Sequence, residues 1–362
     1  MCSQMVYKIQ WSSEFHSASF FLLFLRNMVL QQNKVIAPWL ALLTIFHTSA
    51  VVLPASLIAL ALELINHVTG RSRRLLAAKP IPRKIVITGA ASGIGENVAL
   101  RYVTDPKYKG AASEQAGGLH LILLDLNEQR LATVADVCIK NGVKVETKVI
   151  DVTDAEAMNE YLLDVDDRVG GIDLVWANAG VVATMAGTPT ASGKRESTLK
   201  QRLDLVIKVN GMGVLNTITP LLDRFKERKR GHLAITASLA SFFIFPQVTG
   251  YSVSKRMVYR LGRDLSVVLK PYNIDVSVIC PGFVDTPLVQ DASKNLPNNQ
   301  KIPFQLNVDS AGKIVKRALD ERQEVLMFPW FTIIGSYLMN ITPDWLVNWM
   351  WKNANFNWDT SG

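Results

Sequence analysis

Cysteine is scarce in this chain: three in 362 residues, at Cys2, Cys138 and Cys280. An odd number with neither metal-like nor disulfide-like spacing argues against a disulfide framework and gives no metal site, and it fits a reducing compartment for the part that carries chemistry. Cys138 falls on an apolar helix face and Cys280 ends an apolar strand, so each reads as a small buried hydrophobe. A basic patch interleaved with aromatics is also missing. The net charge of +8 and the pI near 9.3 would suit nucleic acid, but the basic residues are spread along the chain and no nucleic-acid partner is expected. No internal repeat or low-complexity tract is visible.

Charge itself is absent from residues 35–62, a run of 28 without Asp, Glu, Lys or Arg. As a helix it would measure about 40 Å, long enough to span a bilayer with tilt. Pro38 can start such a helix, Pro54 would kink it, and Trp39 stands where an interfacial aromatic belongs. A hairpin-like insertion into one leaflet, or two shorter helices hinged at Pro54, is the other reading; both meet lipid. A shorter apolar patch, residues 18–25, is closed by Arg26 and is too brief to span. Arg71, Arg73, Arg74, Lys79, Arg83 and Lys84 follow the long run, against Lys8, Arg26 and Lys34 before it, which places the remainder on the cytosolic side. From Val325 the chain is apolar again and uncharged through Pro343, and it holds five of the eight tryptophans, Trp330, Trp345, Trp349, Trp351 and Trp358. Pro329 and Pro343 interrupt it, so it reads as a surface-lying or substrate-covering segment, or as a tail capping the core.

Between these extensions the pattern changes to apolar strand-like runs alternating with amphipathic helices. Strands are expected at residues 84–88, 120–125, 144–150, 173–177, 231–237 and 274–280. Helices are expected at 93–103, 128–141, 155–169, 199–225 and 250–269. That alternation predicts an α/β fold, a doubly wound parallel sheet of Rossmann type with helices on both faces. Residues 105–118, rich in Gly, Ala, Lys and Ser, read as a surface loop insertion. The organisation expected is a membrane-anchoring region at 1–80, a catalytic domain at 81–325 and an apolar Trp-rich segment at 326–362.

The chemistry sits at the strand ends. Gly89, Gly93 and Gly95 follow the first strand and open the first helix, where absent side chains let backbone approach a diphosphate and the helix N-terminus supplies free N–H groups. Ser92 and Ile94 belong to the same turn. Asp125 ends the second strand, placed to accept both ribose hydroxyls and to repel a 2′-phosphate, or to serve as a turn residue. No basic residue stands among Ala90, Ala91 and Ser92, and Leu126 follows the aspartate, so NAD is preferred, with NADP not excluded. Asp151 and Val152 close the third strand, beside an adenine ring or as an Asx turn. Asn178, Ala179 and Gly180 close the fourth on the same edge. Tyr251 and Lys255 are four apart on one helix, where an ammonium can stabilise a phenolate and make the phenol a general acid/base. A solvated i, i+4 pair is the plain alternative.

With its TGxxxGxG turn, its Ala177-Asn178-Ala179-Gly180 version of the NNAG element and its YxxxK pair, the chain resembles the short-chain dehydrogenase/reductase family over about residues 84–286. The resemblance implies a tetrad of Asn210, Ser238, Tyr251 and Lys255. Ser238 would hold the substrate oxygen beside the tyrosine, with Thr236 and Ser241 as rivals. Asn210 would hold a water of a proton relay, or else merely bend its helix, and Lys255 would also hydrogen-bond the nicotinamide ribose. Pro281, Gly282, Val284 and Thr286 would hold the nicotinamide carboxamide, or form a proline-bounded turn. The activity implied is hydride exchange between a nicotinamide cofactor and a secondary alcohol or ketone. Epimerase or dehydratase chemistry with tightly held NAD, and a non-enzymatic membrane scaffold, are the rivals. The extensions resemble those of membrane-bound members acting on steroids, retinoids or long-chain lipids. A lipophilic substrate and an endoplasmic reticulum membrane location are therefore expected, and the family resemblance admits a homodimer paired through the two long helices.

Overall fold

Ile85-Val86-Ile87 and Leu121-Ile122-Leu123-Leu124 are unbroken apolar runs, and each of these residues is fully buried. A strand apolar on both sides needs cover on both faces, which is the condition of a parallel sheet inside an α/β sandwich. A computed structural model, describing residues 80–109, 118–183, 198–242, 248–293 and 305–329, shows that sandwich. The strands are β1 (Lys84–Thr88), β2 (His120–Asp125), β3 (Lys144–Val149), β4 (Leu174–Ala177), β5 (Gly231–Thr236), β6 (Ile274–Pro281), β7 (Val284–Asp285), β8 (Leu306–Asn307) and β9 (Val325–Phe328). Seven of them form one sheet in the order β3-β2-β1-β4-β5-β6-β9, all parallel. The order reverses between β1 and β4, which opens a crevice at their carboxyl ends.

The helices are α1 (Gly93–Thr104), α2 (Glu128–Lys140), α3 (Ala155–Val169), α4 (Leu199–Ile207), α5 (Gly213–Arg228), α6 (Thr249–Val268), α7 (Pro287–Ser293) and α8 (Val308–Asp320). One face of the sheet carries Val86, Ile122 and Val175 against Ile218, Phe225 and Val258. The other carries Ile85, Leu123 and Trp176 against Val98, Tyr102, Val134 and Val315. Local signals set the ends. Asn127 caps α2 by accepting from Arg130 N at 3.0 Å, Asp154 caps α3, and Thr198 with Gln201 forms a capping box on α4.

Three features depart from the sequence expectation. The helix expected over 199–225 contains a π turn at Lys208–Met212 and runs on to Arg228. The apolar run beginning at Val325 starts as β9, paired with β6 from Val278↔Val325 to Pro281↔Phe328. The expected loop insertion is packed at its beginning, because Asp105 caps a short 3-10 turn. Tyr108 in that turn is buried edge-on against Tyr102, 5.7 Å between ring centres, while Asp105 pairs with Lys316 of α8. Residues 18–25 and 35–62, and the Trp-rich tail beyond Pro329, lie outside the described residues. Among those described, the helix 199–228 is long and apolar enough to cross a membrane by length and composition, and it is the helix whose Ile218, Leu221 and Phe225 pack on the sheet.

At the opposite edge from the crevice, the buried Asp166 holds Arg228 through contacts of 2.6 and 3.0 Å and accepts from Ile172 N at 2.7 Å. Asp166→Ala leaves a half-buried guanidinium and a buried amide without their partner, and should destabilise the full chain by about 3 kcal/mol in a denaturant titration. A change below about 1 kcal/mol would show that the pair is solvated.

Candidate active site

The glycine turn is dictated by close approach. Gly89 has φ +67, and a Cβ there would lie 2.9 Å from Ala179 Cα; at Gly95 a Cβ would lie 2.2 Å from Gly89 O and 2.6 Å from Asn178 Nδ2. Gly93 has φ +60, and a Cβ there would lie 3.2 Å from Thr286 Cγ2. Thr88, at the end of β1, accepts from Asn178 N at 3.0 Å and Ala179 N at 3.1 Å. The Asn178 amide donates back to Thr88 O at 3.1 Å and Gly89 O at 3.2 Å. Asp125 also supports the turn, accepting from Ala91 N at 2.9 Å and Asn127 N at 3.0 Å. Each carboxylate oxygen keeps a second acceptor position. Asp151 forms the Asx turn, accepting from Thr153 N at 2.8 Å, and still faces the crevice.

On α6, Lys255 is buried and donates to Thr236 O at 2.8 Å, with its ammonium 5.7 Å from the centre of the Tyr251 ring. Ser238 accepts from Ala240 N at 3.1 Å, lies 3.3 Å from Pro281 O, and reaches the Tyr251 phenol by a hydrogen bond. Its two rivals differ from it. Thr236 spends its hydroxyl on Trp176 and Asn178, and Ser241 does not line the crevice. Asn210 sits in the π turn with both of its amide N–H groups engaged. Oδ1 accepts from Val181 N at 2.8 Å, while Nδ2 donates to Val181 O at 2.8 Å and Ser254 Oγ at 3.1 Å. No side-chain N–H of Asn210 is left for a water. These bonds clamp residue 181, four residues beyond β4, to α6, and Oδ1 keeps a second acceptor position. Ser254 passes the clamp on to Tyr251 O at 2.8 Å.

These groups surround one cavity of about 310 Å³ at the carboxyl edge. Gly89, Ser92, Gly93, Ile94, Asp125, Asp151, Val152, Asn178, Ala179, Gly180, Ser238, Tyr251, Lys255, Pro281, Gly282, Val284 and Thr286 all line it. Gly95 and Asn210 do not; they stand behind its wall. Sequence reasoning missed Thr88, Trp176 and Ser254, whose contacts join residues far apart in the chain, and missed Val181, Val209, Leu288 and Val289 as apolar lining. A dinucleotide fits this set. The glycine turn leaves space that side chains would fill, the first turn of α1 presents amides without intrahelical acceptors, and Asp125 stands at the ribose position of such folds.

A family model described as short chain dehydrogenase matches residues 83–297. The chain belongs to the short-chain dehydrogenase/reductase family. An uncharacterized oxidoreductase of Myxococcus xanthus is 30% identical over 262 residues, 72% of this chain and 93% of that protein. A 1-deoxy-11-beta-hydroxypentalenate dehydrogenase of Streptomyces avermitilis is 31% identical over 241 residues, 66% of this chain and 81% of that one. Among solved structures, a family member from Burkholderia phymatum in complex with NAD superposes with a TM-score of 0.57 at 22% identity, covering 71% of this chain and 93% of that one. A member from Sphingobium yanoikuyae in complex with NADPH gives 0.55 at 22% identity, with 72% and 96% covered. At that identity the likeness shows the shared fold, and the two complexes hold different nucleotides.

Within this family frame the electrostatics are dominated by burial. It pushes the Tyr251 phenol above its usual range, opposed by the hydrogen bond from Ser238, and lowers Lys255 to about 8. Cys280, itself pushed up to about 12, stays a thiol. Because Lys255 holds its proton less tightly in the folded chain than in the unfolded one, its burial costs stability in full below pH 8. That cost fades as pH rises from about 8 toward 10.5. The stability of Lys255→Met relative to wild type, followed by denaturant unfolding, should therefore decline across that pH window; a flat difference would mean that the ammonium is solvated. Gly95→Ala should abolish nucleotide binding or fold poorly, by at least about 2 kcal/mol, and a variant that binds and melts like wild type would contradict the close approach.

Proposed function

We propose that this oxidoreductase interconverts a secondary alcohol and a ketone with a nicotinamide dinucleotide, NAD in preference to NADP. The observation that carries the reading is the convergence of Ser238, Tyr251 and Lys255 on the cavity that the glycine turn also lines. The bound nicotinamide would supply the carbon that gives or takes hydride. The turn between β1 and α1 would hold the diphosphate, Asp125 the adenosine ribose, Asp151 and Val152 the adenine side, and Val284 and Thr286 the carboxamide. Asn178, Ala179 and Gly180 would form the opposite wall.

Ser238 would orient the substrate oxygen by hydrogen bonding, and Tyr251 would exchange the hydroxyl proton at its Oη. Burial favours the neutral phenol, which is the form needed to donate a proton during ketone reduction. Proton removal from an alcohol requires the phenolate, and Lys255, charged below about pH 8, is the cation beside it. The lipophilic character of the substrate is supported by Val181, Val209, Leu288 and Val289 around the cavity and by the uncharged run at 35–62. A membrane location, in the endoplasmic reticulum with this domain on the cytosolic side, rests on that run and its flanking charges. Pairing of two copies through α4–α6 fits the exposed Leu205, Met212, Val253 and Met257. The relatives named 1-deoxy-11-beta-hydroxypentalenate dehydrogenase carry the same reaction class in their name.

The test is turnover by full-length protein in detergent, with NAD⁺ and NADP⁺ compared across sterols, retinol, sphingoid ketones and acyl alcohols. NAD⁺-linked oxidation of a lipophilic alcohol, lowered at least about a thousandfold by Tyr251→Phe, is expected. A short polar sugar or acid as best substrate would remove the lipophilic assignment, and full activity of the phenylalanine variant would remove the role of Tyr251.

A further inference from the structure

Thr236, the last residue of β5, is 9% exposed and serves two sides of the cavity at once. Its hydroxyl accepts from Trp176 Nε1 at 2.9 Å and donates to Asn178 Oδ1 at 3.1 Å. Its carbonyl accepts the Lys255 ammonium at 2.8 Å. Trp176 is fully buried, so its indole N–H needs an acceptor within the protein. A hydroxyl that accepts from an indole has its proton directed elsewhere, and here that proton meets Asn178 Oδ1. With the amide oxygen so held, Nδ2 is turned to Thr88 O and Gly89 O, and the amide fills the slot beside Gly95 where a Cβ would lie 2.6 Å away.

We infer that Trp176 and Thr236 are positioning residues for the dinucleotide site: the indole fixes the Thr236 hydroxyl, which fixes the Asn178 amide and through it the glycine turn. The inference rests on the nucleotide reading of the cavity and adds to it a control from the floor of the sheet. No step of the reaction passes through either residue. The division of labour within Thr236 is what makes the idea testable. Thr236→Val keeps the branched shape and the carbonyl that holds Lys255 while removing the hydroxyl alone, so nucleotide affinity should suffer and the pH dependence set by Lys255 should not.

The measurement is NADH fluorescence titration of the full chain in detergent, with NADPH in parallel, joined to KM and kcat for the nucleotide. Thr236→Val should raise the NADH Kd and KM about tenfold, with kcat and its pH profile changed far less, since a buried donor and an amide oxygen both lose their partner. Thr236→Ser, which restores the hydroxyl, should recover affinity to within about twofold. Trp176→Phe should weaken binding in the same direction, and adding it to Thr236→Val should cost little more, because both act through one hydroxyl. Wild-type affinity in Thr236→Val, or failure of serine to rescue, would overturn the inference. If the valine variant does not fold, unchanged NADH affinity in Trp176→Phe overturns it as well. A wild-type protein that binds neither NADH nor NADPH fails at the earlier step and removes the nucleotide reading itself, and this inference with it.

Discussion

Two backbones meet at the carboxyl edge of the sheet with no room for a side chain between them. A methyl group at Gly89 would sit 2.9 Å from Ala179 Cα, and one at Gly95 would sit 2.2 Å from Gly89 O. The Thr88 hydroxyl and the Asn178 amide close this junction with four hydrogen bonds of 3.0 to 3.2 Å. β1 and β4 are also the strands between which the sheet order reverses. The crevice is therefore the place where the topology has to leave a gap, and the glycines determine how far the first turn of α1 can lean into it. The side chains on α6 matter only because β5 and β6 hold that helix against the same edge.

Burial and charge work against each other at the proton-handling groups. Placing Tyr251 and Lys255 among apolar walls favours the neutral form of each, raising one and lowering the other to about 8. The ammonium is secured by a backbone carbonyl, Thr236 O at 2.8 Å, so its position is set by the end of a strand and not by a mobile counter-ion. The neighbouring thiol, Cys280, offers no negative charge, since burial holds its pKa near 12. Around this pair the amide of Asn210 ties the chain after β4 to α6 through Val181 and Ser254. That bracing uses the π turn at Lys208–Met212, an extra residue in the helix that aims Asn210 inward.

Much of this is legible in the sequence. Gly89, Gly93 and Gly95 between an apolar strand and an amphipathic helix, Tyr251 and Lys255 at helical spacing, and acidic or amide residues at successive strand ends are local patterns with direct structural meaning. The structure gathers nearly all of them around one cavity. What escaped was long-range. Nothing in the run Leu174–Ala177 shows that Trp176 will donate to Thr236 sixty residues on, because that contact exists only once β4 and β5 are paired. The π turn has no composition cue, and the hydrogen bonds of Asn210 depend on Val181 and Ser254 arriving from other elements. β9 was hidden for a different reason. Val325–Phe328 is too short and too continuous with the apolar residues that follow to stand out from them, and only its pairing with β6 distinguishes it. The loop after α1 looked featureless because its anchor, Lys316, comes more than two hundred residues later.

The central claim is that one cavity brings a dinucleotide and the Tyr251 phenol face to face. An experimental structure of the full chain with NAD⁺ tests it most directly. The account predicts the diphosphate at the first turn of α1 and the nicotinamide C4 within about 5 Å of Tyr251 Oη, leaving space between them for a carbinol carbon. A dinucleotide bound away from the Gly89–Gly95 turn, or one whose nicotinamide points away from Tyr251, would contradict it.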